Sequence, residues 1–491
     1  MPPDAMHILQ ATSEFFPYSK TGGLADMVAG LSNAISAQGH TITVVTPMYR
    51  GVQNVCPNLK PTLGKLSIRM GRKIVEGRVL ENKPRPKLTV LFVDHPRYFN
   101  RPGIYMEQGN GYADNPERFI FFSKATMEIA KRLKNTPDII HCHDWQTGLI
   151  PLMLKHERGQ GANTLATGTC LSIHNLAYQG VCDAKNYSFT NLPKKYFNPE
   201  GVEFYGQLNC LKAGLVYADC LTTVSPQYAK EISTTKFGEG LEGVIKGQSE
   251  NMTGILNGVD YSQWKTAGNP HLKYEYSIDN LTGKFRNKSV LLDEIGLPRH
   301  RITRPLYAYI GRLADQKGVD LLIETLPAWI AKTQCQFVAL GNGNPIHENK
   351  FNQLQKSFPE SVYCHLEYSE SMAHRIEAAA DFLLMPSKIE PCGLNQMYSL
   401  RYGTIPIVNA VGGLKNTVID LSADPRTGNG IVLPKYSTKE LMKALRFSAN
   451  LHADLPRMNK IRKRAMKANF NWNLSASAYL DTYRTCLNLI S

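Results

Sequence analysis

His7-Ile-Leu-Gln-Ala11, the pair Gly22-Gly23, the spaced set Leu24, Met27, Val28, Leu31 and Ile35, and Thr41-Ile-Thr-Val-Val-Thr46 follow one another near the start of the chain. The first run is apolar and short enough for a buried strand, and the spaced set marks one face of a helix. Gly39 closes that helix, and the β-branched run after it favours a second strand. Strand, glycine turn, helix, strand is the opening unit of a doubly wound α/β domain with a parallel sheet.

Further strands are expected at Leu88–Val93, Ile139–Cys142 and Leu171–His174, each followed by a polar loop. Such loops leave the carboxyl ends of parallel strands, where α/β folds bind ligands. The segment Pro96 to Arg118, with three glycines and several aromatics, reads as one long functional loop. After Asn257-Gly-Val-Asp260 the chain turns polar and irregular, then restarts with the strand Leu306-Tyr-Ala-Tyr-Ile310. From there the first order repeats: a helix from Gly318, a strand at Gln336–Leu340, a glycine turn at Gly341–Gly343, and a strand at Asp381–Met385. The chain ends in an amphipathic helix from Trp472, with Leu474, Ala478, Tyr479, Tyr483 and Leu487 expected on one side.

At 491 residues the chain exceeds one ordinary core, and 43% hydrophobic with 20% charged residues describes a globular protein. No run approaches the ~18 apolar residues of a membrane span. The ten cysteines are scattered without a C-x-x-C pair, as buried thiols of a reducing compartment would be. The net charge of 56 − 41 = +15 gathers at Lys60–Lys87 and Arg457–Lys467. Aromatics are not interleaved there, so solvated basic surface is expected rather than a nucleic-acid site.

Several generic motifs fail. Gly238-Glu-Gly240-Leu-Glu-Gly243 follows a helical run instead of a strand, which excludes the dinucleotide fingerprint. His141-Cys142-His143-Asp144 alternates across a strand end, so its side chains do not converge on a metal, and none is expected. No D-x-D pair occurs to hold a diphosphate through a metal.

Four stretches carry chemistry. Ser19-Lys20-Thr-Gly22-Gly23-Leu-Ala-Asp26 places a lysine beside a glycine turn at a helix start, which suits a diphosphate. Gly311-Arg312-Leu-Ala-Asp-Gln-Lys317-Gly318 sets two cations after a strand, where they can neutralise a leaving diphosphate. His141 to Gly148, with His174-Asn-Leu-Ala-Tyr-Gln-Gly180, offers imidazoles, a carboxylate, an indole and amides suited to a sugar. In Pro386-Ser-Lys-Ile-Glu390-Pro-Cys392-Gly393-Leu394-Asn-Gln396, Pro391 is expected in the first helical turn. Cys392, Gly393 and Leu394 would then present free amides to an anion, and Glu390 would accept sugar hydroxyls or cap the helix.

Taken together these stretches make the chain resemble the glycogen and starch synthases. The resemblance rests on Lys20-Thr-Gly-Gly-Leu24, His143-Asp-Trp145, His174 to Gly180, Leu256-Asn-Gly-Val-Asp260, Gly311-Arg-Leu313, Gln316-Lys-Gly318 and Glu390-Pro-Cys-Gly-Leu394, in family order over nearly the whole length. It implies an α/β fold of the GT-B type: two facing Rossmann-like domains with the active site in the cleft between them. Residues 1–258 would form the acceptor-side domain, 259–472 the donor-side domain, and 473–491 a helix crossing back to the first.

The activity implied is transfer of glucose from ADP-glucose to the non-reducing end of an α-1,4-glucan with retention of configuration. Neither cofactor, nucleic acid nor membrane span is implied. The compartment would be the cytoplasm, or a plastid if a transit peptide has been removed. Arg312 and Lys317 would hold the diphosphate, with the turn of Lys20, Gly22 and Gly23 closing on it. Glu390, Cys392, Gly393 and Leu394 would meet the glucose with Asn257 and His174, and Tyr368 would stack on the adenine. Asp144 and Trp145, with Glu14 and Tyr112, would line the acceptor side. Tyr398 stands where many retaining relatives carry a second glutamate for the ribose, which leaves the ribose contacts unassigned. Gln146 and Asn395 resemble starch synthases whereas Lys20 to Asp26 resembles bacterial glycogen synthases, which leaves the product polymer open. A glucan- or nucleotide-binding protein without turnover, and a sugar-nucleotide epimerase on the same fold, are the alternatives.

Overall fold

A computed structural model describes residues 5–161 and 166–490. The chain divides into two compact units, Met1–Gly258 with Trp472–Ser491, and Val259–Asn471.

The first unit is built on β1 (His7–Ala11), β2 (Thr41–Pro47), β3 (Lys60–Met70), β4 (Lys73–Arg85), β5 (Leu88–Asp94), β6 (Ile139–His143), β7 (Gly168–Ile173), β8 (Cys220–Thr223) and β9 (Met252–Gly254). They form one sheet in the order β9-β8-β7-β6-β1-β2-β5-β4-β3. From β9 to β5 all neighbours are parallel, and β4 and β3 extend the edge as an antiparallel hairpin. That hairpin is the first basic zone. Leu66, Ile68 and Met70 alternate inward and Val79 and Leu80 are buried beside them, while its outer lysines discourage pairing with a further strand.

Within Pro96 to Arg118 a short helix (Pro96–Phe99) precedes the loop, and Asn115–Arg132 is helical, so the expected loop is shorter at both ends. Arg118 is buried inside that helix. It donates to the carbonyls of Tyr98 (2.7 Å) and Ile104 (3.0 Å), tying the loop down.

The terminal helix, Trp472–Ile490, packs beside the helix Gly23–Ala37 and over β7 and β8. Its inner face differs from the expected one. Trp472, Ala476, Tyr479, Tyr483 and Cys486 are buried, whereas Leu474 is 63% exposed. Trp472 sets the phase: its indole fills the space a Cβ on Gly30 or Gly258 would need, which turns Leu474 outward.

The second unit carries β10 (Leu306–Ile310), β11 (Gln336–Leu340), β12 (Val362–His365), β13 (Phe382–Met385), β14 (Ile405–Asn409) and β15 (Ile431–Leu433). The sheet is wholly parallel in the order β12-β11-β10-β13-β14-β15. Strands this apolar feed both faces alternately. Tyr307, Phe337, Phe382 and Leu384 pack with the helices Val319–Thr333 and Thr438–Ala453, while Ala308, Val338, Leu383 and Met385 pack with Thr282–Glu294 and Glu370–Ala379. Arg462, from the second basic zone, is not solvated. It is buried against Asp381, which also takes Lys288 (2.7 Å) at the end of β13 remote from the loops described next.

Candidate active site

In the second unit three loops meet at the carboxyl ends of the adjacent strands β10, β13 and β14. Gly311 to Gly318 follows β10, Pro386 to Leu394 follows β13, and Val411 to Gly413 follows β14. Glycines allow the approach. A Cβ on Gly318, at φ +71°, would lie 2.1 Å from the carbonyl oxygen of Pro386, and one on Gly412 would lie 2.0 Å from that of Glu390.

The contact joins the residues that the sequence singles out. Lys317 Nζ lies 2.7 Å from both carboxylate oxygens of Glu390, and Ser387 Oγ donates to Oε2 at 2.9 Å. Arg312 is exposed, and among the described residues its guanidinium has no carboxylate partner. It is therefore the cation most open to an incoming anion, while Lys317 is held in place by a buried carboxylate.

The helix after this loop begins at Asn395, with Leu394 as its N-cap. Pro391 thus lies outside the first turn, contrary to the expectation, and Glu390 does not cap. Gly393 takes φ +73° with its would-be Cβ against Gln396 Oε1 (2.4 Å), and Gln396 Nε2 donates to the carbonyls of Cys392 and Gly393 (3.0 Å each). These bonds hold Cys392 and Gly393 in a loop of their own, so the helix can only start after them. Cys392 is buried. Tyr368 follows the edge strand β12, two strands from β10, with its ring 67% exposed and its hydroxyl 3.2 Å from Glu370 Oε2.

In the first unit the polar groups gather at the carboxyl ends of β1, β6 and β7, again neighbours in the sheet. His143 Nε2 meets Gln10 Oε1 at 2.7 Å, and an amide oxygen only accepts, so Nε2 carries the proton. Nδ1 of His143 then accepts from His174 Nε2 at 3.0 Å. His174 is left with Nδ1 as an acceptor that has no partner among the described residues. Burial keeps these rings neutral: His141 is pushed down to about 3, His174 likewise to about 3, and His143 well below the usual imidazole range.

Asp144 sits at φ +56° and accepts the backbone N–H of His174 at 2.7 Å. Burial raises its carboxyl to about 7. Trp145 lies edge-on to Phe119 at 5.0 Å, and Gly180 lays the 174–180 loop directly on its indole, where a Cβ would come within 2.3 Å.

The glycine turn is arranged differently from expectation. Glu14 accepts from the backbone N–H of Thr21 (2.5 Å), from Thr21 Oγ1 (2.7 Å) and from the N–H of Gly22 (3.4 Å). The chain's own carboxylate thus takes two of the amides that the sequence offers to a phosphate. Lys20 is paired with Asp26 at 2.9 Å, and Gly23 opens the helix. Tyr105, which sequence reasoning missed, donates to Glu14 Oε1 at 2.8 Å and meets Ser13 Oγ at 2.7 Å. Tyr112 lies instead between the guanidinium groups of Arg101 (4.7 Å) and Arg118 (5.2 Å). Gln10, also missed, was visible as the one amide within an apolar strand. Asn257 follows β9 at the far edge of the sheet, buried, with an Oδ1 that has no hydrogen-bond partner among the described residues. No cluster of three or more metal-ligating side chains occurs among the described residues.

Two parallel-sheet units carry their polar groups at strand ends, and comparison with known proteins gives that pattern its class. The profile of the starch synthase catalytic domain matches residues 7–247, and that of the glycosyl transferases group 1 matches residues 298–467. The protein is a two-domain glycosyltransferase of the GT-B architecture. A glycogen synthase of Anaeromyxobacter sp. (strain Fw109-5) is 42% identical over 98% of this chain and 99% of its own. One of Koribacter versatilis (strain Ellin345) is 39% identical over 97% and 98%. The catalytic domain of starch synthase IV from Arabidopsis thaliana, solved bound to ADP and acarbose, is similar with a TM-score of 0.90 at 31% identity, over 99% of this chain and 100% of that one. The chain belongs to the glycogen and starch synthase family of glucosyltransferases.

Proposed function

We propose that the protein elongates an α-1,4-glucan at its non-reducing end with glucose from ADP-glucose, retaining the anomeric configuration. The observation that carries this reading is the pairing of Lys317 with Glu390 at the ends of β10 and β13, with the exposed Arg312 on the same loop as Lys317. Arg312 receives the diphosphate and Lys317 supports the charge that grows as the glycosidic bond breaks. Glu390, anchored by Lys317 and Ser387, accepts glucose hydroxyls beside Cys392, Gly393 and Leu394. The exposed ring of Tyr368 stacks on the adenine.

The first unit receives the acceptor through Asp144 and Trp145, while Nδ1 of His174, which has no partner among the described residues, and Asn257 accept from hydroxyls of the donor glucose. Glu14 and Tyr105 shape the turn of Lys20, Gly22 and Gly23, and Tyr112 keeps the loop beside it in place. Neither central carboxylate is suited to nucleophilic attack. Glu390 is neutralised by an ammonium group, and Asp144 is protonated in about half the molecules near pH 7. The acceptor hydroxyl therefore attacks from the face that the diphosphate leaves, and the leaving oxygen takes its proton.

Incubation with glucose-labelled ADP-glucose and glycogen tests this. Labelled polymer that an exo-acting amylase degrades to labelled maltose is the expected product, with UDP-glucose the poorer donor. No labelled polymer from either donor would overturn the reading.

A further inference from the structure

Beyond the strand-end groups, the first unit carries an exposed aromatic patch that the reaction does not require. Strand Glu203–Phe204 turns back into Gln207–Asn209 through Tyr205 and Gly206, both left-handed at φ +50° and +79°. Two successive positive φ values suit a tight hairpin, but a tyrosine at the first of them is unfavourable. Its ring is nevertheless 85% exposed. A strained backbone that holds a large ring in water points to function when its surroundings fix it in place.

They do. Phe204 supports the ring edge-on at 4.7 Å, Glu203 Oε1 accepts the N–H of Gly206 at 2.5 Å, and a Cβ on Gly240 would press on Phe204 at 3.1 Å. The hairpin grows out of the loop that carries His174. Val181–Cys182 pairs with Leu208 and Asn209, and Asn209 Nδ2 donates to Gln179 Oε1 at 2.7 Å. Gln179 Nε2 in turn bonds the carbonyl of Glu239 at 3.0 Å. On the same loop Tyr178 is 50% exposed and Val181 40%. Neither tyrosine hydroxyl has a partner among the described residues. Each ring thus offers an apolar face and a free hydroxyl, the amphipathic pairing that matches a pyranose ring.

We infer that Tyr205, with Tyr178, is a platform for glucose units of the acceptor well back from its non-reducing end, so that long glucan chains bind more tightly than short ones. The choice of glucan as occupant rests on the proposed function and on continuity with the loop that lies on Trp145.

The test separates the two readings. In donor-free affinity electrophoresis through gels containing glycogen, Tyr205→Ala should weaken binding about fivefold and Tyr205→Phe less than about twofold, the scale of one aromatic contact. With donor present, the alanine variant should raise KM for glycogen in the same ratio, leave kcat alone, and barely move KM for maltotriose, which is too short to reach the platform. Unchanged retention by glycogen would overturn the inference while wild-type transfer still stood. Loss of self-association in place of glycogen affinity, read by light scattering, would overturn it by assigning the patch to a second copy. Failure of the wild type to transfer glucose would instead strike the proposed function, and the donor-free gel would still read the platform.

Discussion

The two units use the same architecture to opposite electrostatic ends. In each, polar side chains stand at the carboxyl ends of neighbouring parallel strands. In the second unit those groups are charged, Lys317 paired with Glu390, beside an Arg312 that has no carboxylate partner among the described residues. In the first, the groups at the ends of β6 and β7 are held toward neutrality by burial: imidazoles that resist protonation and a carboxyl raised to about 7. A parallel sheet provides positions only. Whether a position handles phosphate or sugar depends on how far burial lets the side chain keep its charge.

Replacing the two cations separates charge from scaffold, and it carries the largest expected effect. Arg312→Ala should lower kcat/KM by about 2–4 kcal/mol, the scale of one lost electrostatic donor, with little change in thermal stability because the side chain is exposed. Lys317→Ala should cost similar activity and also destabilise the second unit, because it leaves Glu390 buried without its counter-charge. Adding Glu390→Gln should restore stability and not activity. Equal melting temperatures for Lys317→Ala and wild type would break the comparison.

A smaller effect is expected where a neutral hydroxyl meets a carboxylate. Tyr105→Phe should reduce kcat/KM by about 1–2 kcal/mol, one hydrogen bond to a charged group, by loosening Glu14 from the turn of Thr21 and Gly22. A wild-type rate in that variant would reduce Tyr105 to packing.

The smallest effect is a slope. Unfolded imidazoles take up protons near pH 6.5, while His141, His143 and His174 stay unprotonated far below that, so all three favour the fold as pH rises. Asp144 acts oppositely: folded it holds its proton to about pH 7, unfolded it loses it near 4. From these four groups, between about pH 4.5 and 6 the unfolded chain therefore binds about two more protons, and their contribution to stability rises by about 2.7 kcal/mol per pH unit. Asp144→Asn should steepen that slope by about half in urea unfolding at a series of pH values. A flatter slope would contradict the neutral character assigned to the first unit.

Much of this was legible in the sequence because buried parallel strands are unbroken apolar runs. Leu306–Ile310 and Gln336–Leu340 read directly, and a polar residue just past such a run falls where ligands bind. What was not legible were choices among local partners. Nothing in Glu14 announces that it will occupy the amides of Thr21 and Gly22. Nor does Pro391 show that Gln396 will hold Cys392 and Gly393 out of the helix. The hairpin of β3 and β4 was hidden because its charged outer face outnumbers its inner residues. The terminal helix was found, but its phase was set by Trp472 against two glycines far away in sequence.

That helix also has a consequence for synthesis. Tyr483 bonds His141 Nδ1 at 2.8 Å, Ser475 bonds the carbonyl of Leu256 at 2.6 Å, and Trp472 covers Gly30. The unit that emerges first from the ribosome therefore lacks part of its interior until Trp472–Ile490 has been made, although domains ordinarily fold as they emerge. The later unit has its whole sequence earlier and can be finished first. A chain stopped before Trp472 would carry every group named in the reaction, yet leave its first unit without that helix.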